Sequence, residues 1–81
     1  MILIFRNSRN EEREIGRPES LKESMKIIQA FLKDHHFTSY YTRLWVENNR
    51  LVYDVGSHTE FFYLDQLNEE AIENLKSRKL L

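Results

Sequence analysis

Asp54, Ser57, His58, Thr59 and Glu60 place two hydroxyls, an imidazole and two carboxylates close together in the run DVGSHTEFFYL, residues 54–64. That is an inventory for acid–base or metal-assisted hydrolysis, in which a side chain takes a proton from a water or hydroxyl within hydrogen-bond reach. The inventory alone does not build a site. A serine next to a histidine in sequence does not bring the hydroxyl to the imidazole nitrogen, and there is no Gly-x-Ser-x-Gly elbow. His35 and His36 are adjacent, so on a helix they point about 100° apart, which is not a reinforcing ligand spacing with a distant His58. HExxH, a Gly-rich phosphate loop, a dinucleotide fingerprint and a cysteine nucleophile are all missing from the sequence.

A strand connection accounts for the same residues. Gly56 permits a positive φ or a bulge, the Ser57 and Thr59 hydroxyls can satisfy turn amides, and Glu60 begins the next strand. The sequence favours this account and predicts a chain that is not an enzyme, with no cofactor and no metal. A small metal-dependent hydrolase or nuclease using Asp54, His58 and Glu60 is the less favoured alternative. His35 and His36 read as ordinary helix-end residues.

The elements that would position this loop follow from apolar spacing and turn chemistry. Ile2 to Phe5 is an apolar, partly β-branched run and predicts a strand. Residues 6–19, RNSRNEEREIGRPE, offer only Ile15 as an apolar anchor and predict a long, charged, flexible loop. A short strand through EREIG, turning back through NSRN, is the alternative for that segment. Ser20 with Glu23 matches a capping box and starts a helix whose stripe is Leu21, Met25, Ile28, Phe31 and Leu32. That helix is expected to stop near Asp34 to His36.

Residues 40–47 are aromatic and β-branched, and Asn48-Asn49 is a two-residue turn whose positive φ angles asparagine tolerates. That turn predicts a register in which Glu47 faces Arg50, Val46 faces Leu51, Trp45 faces Val52, Leu44 faces Tyr53 and Arg43 faces Asp54. Both charge pairs are then complementary. EFFYLD predicts another strand, and Asp65 or Asn68 caps a final helix carrying Leu67, Ala71, Ile72 and Leu75 on one side. The expected fold is a single small α+β domain, residues 1–81, in the order β-α-β-β-β-α. Its sheet is expected to have three or four largely antiparallel strands, with two helices on one face.

Side chains of a strand alternate between faces. One face of the hairpin presents Tyr40, Leu44, Val46, Leu51, Tyr53 and Val55, a core for the two helices. The other presents Tyr41, Arg43, Trp45, Glu47, Arg50, Val52 and Asp54. With both helices on the first face, Tyr41, the chain's only tryptophan Trp45, and Val52 are left near solvent among arginines, a composition typical of protein contact sites. The alternative is that the 6–19 segment or neighbours of the first strand cover Trp45.

Bulk composition narrows the partners. Eighty-one residues with 41% hydrophobic content support one domain, and a net charge of −1, from 12 basic and 13 acidic side chains, creates no field for a polyanion. With a carboxylate opposite each arginine, nucleic-acid binding on the aromatic face is disfavoured. The absence of cysteine suits a reducing compartment. No apolar run approaches the ~20 residues that span a membrane, so a soluble chain in the cytoplasm, with no membrane association, is expected.

Tyr40, Tyr41, Arg43 and Trp45, followed by Asp54, Gly56, Ser57, His58, Glu60, Phe61 and Phe62, give the pattern Tyr-Tyr-x-Arg-x-Trp and then Asp-x-Gly-Ser-His-x-Glu-Phe-Phe. In that pattern the C-terminal half of the chain resembles small uncharacterised proteins of phages and prophages of Gram-positive bacteria. The resemblance implies a setting, an accessory protein that docks on a host or defence protein, and assigns no catalytic residue. Together these readings predict a binder that contacts its protein partner through Tyr41, Arg43, Trp45, Arg50 and Val52, with His58 and Glu60 from the loop. A self-associating assembly protein, a homodimer burying the same face, is the rival.

Overall fold

The computed structural model describes residues 1–35, 42–57 and 59–81. Tyr40, Tyr41, His36 and His58, on which parts of the sequence reading fall, lie outside them. The described chain runs β1 (Ile2–Arg6), β2 (Glu12–Gly16), α1 (Leu21–Asp34), β3 (Arg43–Glu47), β4 (Arg50–Asp54), β5 (Phe61–Asp65) and α2 (Glu69–Ser77). The strands form one antiparallel sheet in the order β2-β1-β5-β4-β3.

The sheet therefore has five strands, where three or four were expected. The additional strand is β2, drawn from the segment expected to be a loop. Asn7 makes the reversal: its Oδ1 accepts from the Arg9 and Glu11 amides at 2.9 and 3.0 Å, while Asn10 takes a φ of 63°. The returning strand pairs Glu14 with Ile4, Arg13 with Phe5 and Glu12 with Arg6. An edge strand gains backbone hydrogen bonds from one neighbour without an apolar face of its own, and charged side chains are common there.

The β3–β4 register is the one that the Asn48-Asn49 turn predicts, from Arg43 opposite Asp54 to Glu47 opposite Arg50. Both asparagines have positive φ, 52° and 63°. Of the two expected charge pairs, Arg43–Asp54 forms, with Nη2 to Oδ2 at 2.8 Å. Arg50 turns instead to Asp65 of β5, a residue the hairpin alone could not place.

Ser20 caps α1, its Oγ accepting from the Glu23 amide at 3.1 Å. The return bond of the box shifts by one residue, the Glu23 carboxylate accepting from the Glu19 amide at 3.2 Å. Asn68, rather than Asp65, caps α2, accepting from the Ala71 amide at 2.9 Å. Its Nδ2 also donates to the Glu19 carbonyl at 2.8 Å and ties the two helix starts together.

Both helices cover the same face of the sheet. Ile28 and Leu32 of α1 and Leu75 of α2 are buried with Leu3, Leu51, Tyr53, Val55, Phe62 and Leu64 in one cluster. Phe5, Phe31 and Phe62 pack ring against ring within it, centroids 4.6 to 5.6 Å apart. One polar chain crosses this core. The Tyr53 hydroxyl lies 2.5 Å from Ser24 Oγ, and Ser24 Oγ lies 2.6 Å from the Leu21 carbonyl.

Candidate functional site

Alternation places Ile2, Ile4 and Arg6 of β1, Phe61, Tyr63 and Asp65 of β5, Arg50, Val52 and Asp54 of β4, and Arg43, Trp45 and Glu47 of β3 on the opposite face of the sheet. No described helix packs there. Its central row reads Trp45, Val52, Tyr63, Ile4 and Glu14 across all five strands. Trp45, Tyr63, Phe61 and Ile4 are half-buried.

Val52 departs from the expectation that it lies near solvent. It sits on the predicted face, yet only 2% of its surface is accessible. Its strand is interior to the sheet, and its cross-strand neighbours Trp45 and Tyr63 carry rings larger than the valine between them. Val52 is thus the floor of the patch, and the aromatic rings are its surface.

Arginines frame these rings. The Arg43 guanidinium lies 5.8 Å from the Trp45 ring, Arg6 lies 4.8 Å from Phe61, and Arg50 lies 4.3 Å from Tyr63. Trp45 and Phe61 meet edge to face at 6.4 Å. Arg50 is held as a fork on Asp65, Nε to Oδ1 at 2.7 Å and Nη2 to Oδ2 at 2.6 Å, with Glu12 of β2 at 3.5 Å on the same face. The hydrogen bond to Asp65 raises the Arg50 pKa further above its ordinary value, against the opposing effect of burial, so the group over Tyr63 is a cation. Arg6 Nε is buried and has no hydrogen-bond partner among the described residues.

The 55–60 connection is organised as a strand link. Gly56 has a φ of 93°, its amide donates to Asp54 Oδ1 at 3.0 Å, and Ser57 Oγ accepts from the Thr59 and Glu60 amides at 3.3 and 3.1 Å. The Asp54 carboxylate, buried, also receives Arg43. Gly56→Ala is expected to cost about 1–2 kcal/mol, the usual penalty for a β-carbon in this backbone region, seen as a lower urea midpoint at unchanged slope.

Glu60 does not join the aromatic face. It lines a cleft of about 270 Å³ on the helix side with Phe5, Phe31, Leu32, His35, Val55 and Phe62. Asp54 and Glu60 therefore lie on opposite sides of the sheet, and among the described residues no group of three potential metal ligands gathers. His35 ends α1 with its ring stacked on Phe31 at 4.0 Å and Nδ1 at 2.9 Å from the Phe31 carbonyl, a helix-end role.

Of the residues singled out by sequence, Arg43, Trp45, Arg50 and Val52 come together, Glu60 is elsewhere, and Tyr41 and His58 lie outside the described residues. Phe61, Tyr63, Ile4 and Arg6 complete the face without having been anticipated. The alternation within FFYLD was a visible signal, but it did not say which strands would adjoin.

No family model, curated protein or solved structure matches the chain. Among the described residues, no helix is long and apolar enough to cross a membrane.

Proposed function

We propose that this domain is a non-enzymatic protein-binding module whose contact surface is the Trp45–Phe61–Tyr63 face. In the phage or prophage setting that its sequence pattern suggests, the partner is a host or defence protein. The observation that carries this reading is the placement of both helices on one side of the sheet, which leaves a row of half-exposed aromatic rings over a buried Val52 floor. Tryptophan, tyrosine and arginine dominate the energetics of protein interfaces, because large rings bury much area while fixing few torsions. The arginines here are oriented by ring contacts and carboxylates, so little ordering entropy is lost on docking.

The same pairing argues against a nucleic-acid backbone as partner. Arg43 is engaged by Asp54, and Arg50 by Asp65 and Glu12, so a phosphate would have to displace a carboxylate at each.

Affinity capture from a Gram-positive lysate, with wild type and Trp45→Ala as parallel baits, tests the reading. A host protein enriched by wild type alone is expected, and the purified pair should lose about 2 kcal/mol or more of binding free energy in the variant. Equal binding of that protein by both baits would remove the aromatic face from the account.

A further inference from the structure

β3 is a terminal strand of the sheet, hydrogen-bonded among the described residues to β4 alone. Across a two-residue turn the flanking residues, here Glu47 and Arg50, form a hydrogen-bonded pair, and such pairs then alternate along the ladder. Arg43, Trp45 and Glu47 therefore direct their backbone groups toward β4. Leu44 and Val46 direct theirs outward, away from the sheet.

We propose that this edge is a self-pairing surface, on which a second copy of the chain adds its own β3 antiparallel about a two-fold axis through Trp45. The strand Arg-Leu-Trp-Val-Glu is complementary to its own reverse. With the axis at Trp45, Arg43 opposes Glu47 of the second copy and Glu47 opposes its Arg43. Leu44 and Val46 oppose each other as two hydrogen-bonded pairs, and the two Trp45 rings meet at the closer, non-hydrogen-bonded position that suits aromatic pairs. Moving the axis by one residue, to Leu44 or to Val46, sets Arg43 against Trp45 or Trp45 against Glu47, and both charge pairs are lost.

The opposite edge behaves differently. β2, Glu-Arg-Glu-Ile-Gly, paired with itself about Glu14 would set carboxylate against carboxylate at the axis. Its first three residues are exposed, as expected of an edge that repels a copy of itself.

The apolar surface is also distributed toward β3. Leu44 and Val46 are half-buried on the helix side and line two surface clefts, one with Met25 and Arg78 and the other with Ile72 and Leu81. Leu81 is the large hydrophobic side chain left exposed among the described residues. A second β3 would set its own Val46 and Leu44 against these, extending the core across the axis. The pairing joins ten strands into one sheet and makes the two aromatic faces continuous. It does not depend on the protein-binding reading, because it uses the strand edge rather than the face.

Sedimentation equilibrium over a wide concentration range tests the pairing. The wild-type chain of 9.9 kDa is expected to approach twice that mass as concentration rises. Val46→Pro removes an outward N–H at an edge position where proline is tolerated, and should hold the chain at the single mass with its circular dichroism intact. Glu47→Lys, which opposes two cations twice across the axis, should weaken self-association at least tenfold. Glu14→Lys makes the same change in net charge on the other edge and should leave it unchanged. A wild-type chain of single mass at every concentration overturns the proposal, and so does a doubled mass in both Val46→Pro and Glu47→Lys. Binding of a protein partner by Val46→Pro, measured alongside, reports on the aromatic face separately.

Discussion

Phe62→Ala is expected to lose about 3–5 kcal/mol of stability, and Phe61→Ala, one residue earlier, about 1 kcal/mol. Phe62 is fully buried and packs against Phe5 and Phe31, so its removal leaves a cavity bounded by the sheet and α1. Total stabilities of small domains are about 5–15 kcal/mol, so this one substitution should remove a large part of the total. Phe61 points to the other face and gives up only the stacked Arg6 and the edge of Trp45. Urea unfolding followed by circular dichroism compares the two directly. Equal losses would mean that both faces of β5 are packed alike, and the unlayered face would disappear from the account.

The second large effect concerns the polar chain in the core. Ser24 Oγ has one proton, and the geometry directs it to the Leu21 carbonyl, so the Tyr53 hydroxyl donates to Ser24 Oγ. Ser24→Ala strands a buried phenol hydroxyl and is expected to cost about 1–3 kcal/mol, whereas Tyr53→Phe leaves the Ser24–Leu21 bond in place and should cost less. The double variant should cost less than the sum of the two, because the second change removes the group that the first left unpaired.

Burial raises the Tyr53 pKa above its ordinary value of 10.0, opposed in part by the Ser24 hydrogen bond and by Arg78. An acid whose pKa is raised on folding contributes stability that is fully present below the unfolded pKa and is lost as pH rises through the folded one. Wild type should therefore lose stability on the alkaline side of about pH 10 by more than Tyr53→Phe does, read from denaturant midpoints at matched pH. Parallel curves for the two chains would show that Tyr53 does not titrate in this window.

What the sequence disclosed and what it hid have physical causes. The β3–β4 register was legible in full because a two-residue asparagine turn leaves only one way to pair the flanking residues. Helix starts were legible because Ser20 and Asn68 satisfy amides within their own first turns. β2 was legible only as the alternative strand through EREIG, because an edge strand needs a backbone partner and no apolar pattern, and the reversal at Asn7 rests on one side chain. The placement of β5 between β1 and β4 was hidden, since it is made by pairings between segments far apart in sequence. Three surprises follow from that placement. Asp65 takes Arg50 away from Glu47, Tyr63 helps bury Val52, and Phe61 comes within reach of Trp45. Glu60 lies apart from the aromatic rings for a related reason, because the residue preceding Phe61 on an extended chain faces the helices.

Trp45 is the only tryptophan of the chain, so the chain's own tryptophan fluorescence comes from the proposed contact surface. The most direct measurement titrates wild type with the purified protein it captures, at concentrations where the domain itself is monomeric, and follows Trp45 emission and its quenching by acrylamide. Docking on this face predicts a shift of the emission to shorter wavelength and a fall in quenching that saturate together with binding. Saturable binding with unchanged emission and unchanged quenching would place the contact elsewhere on the molecule and contradict the account.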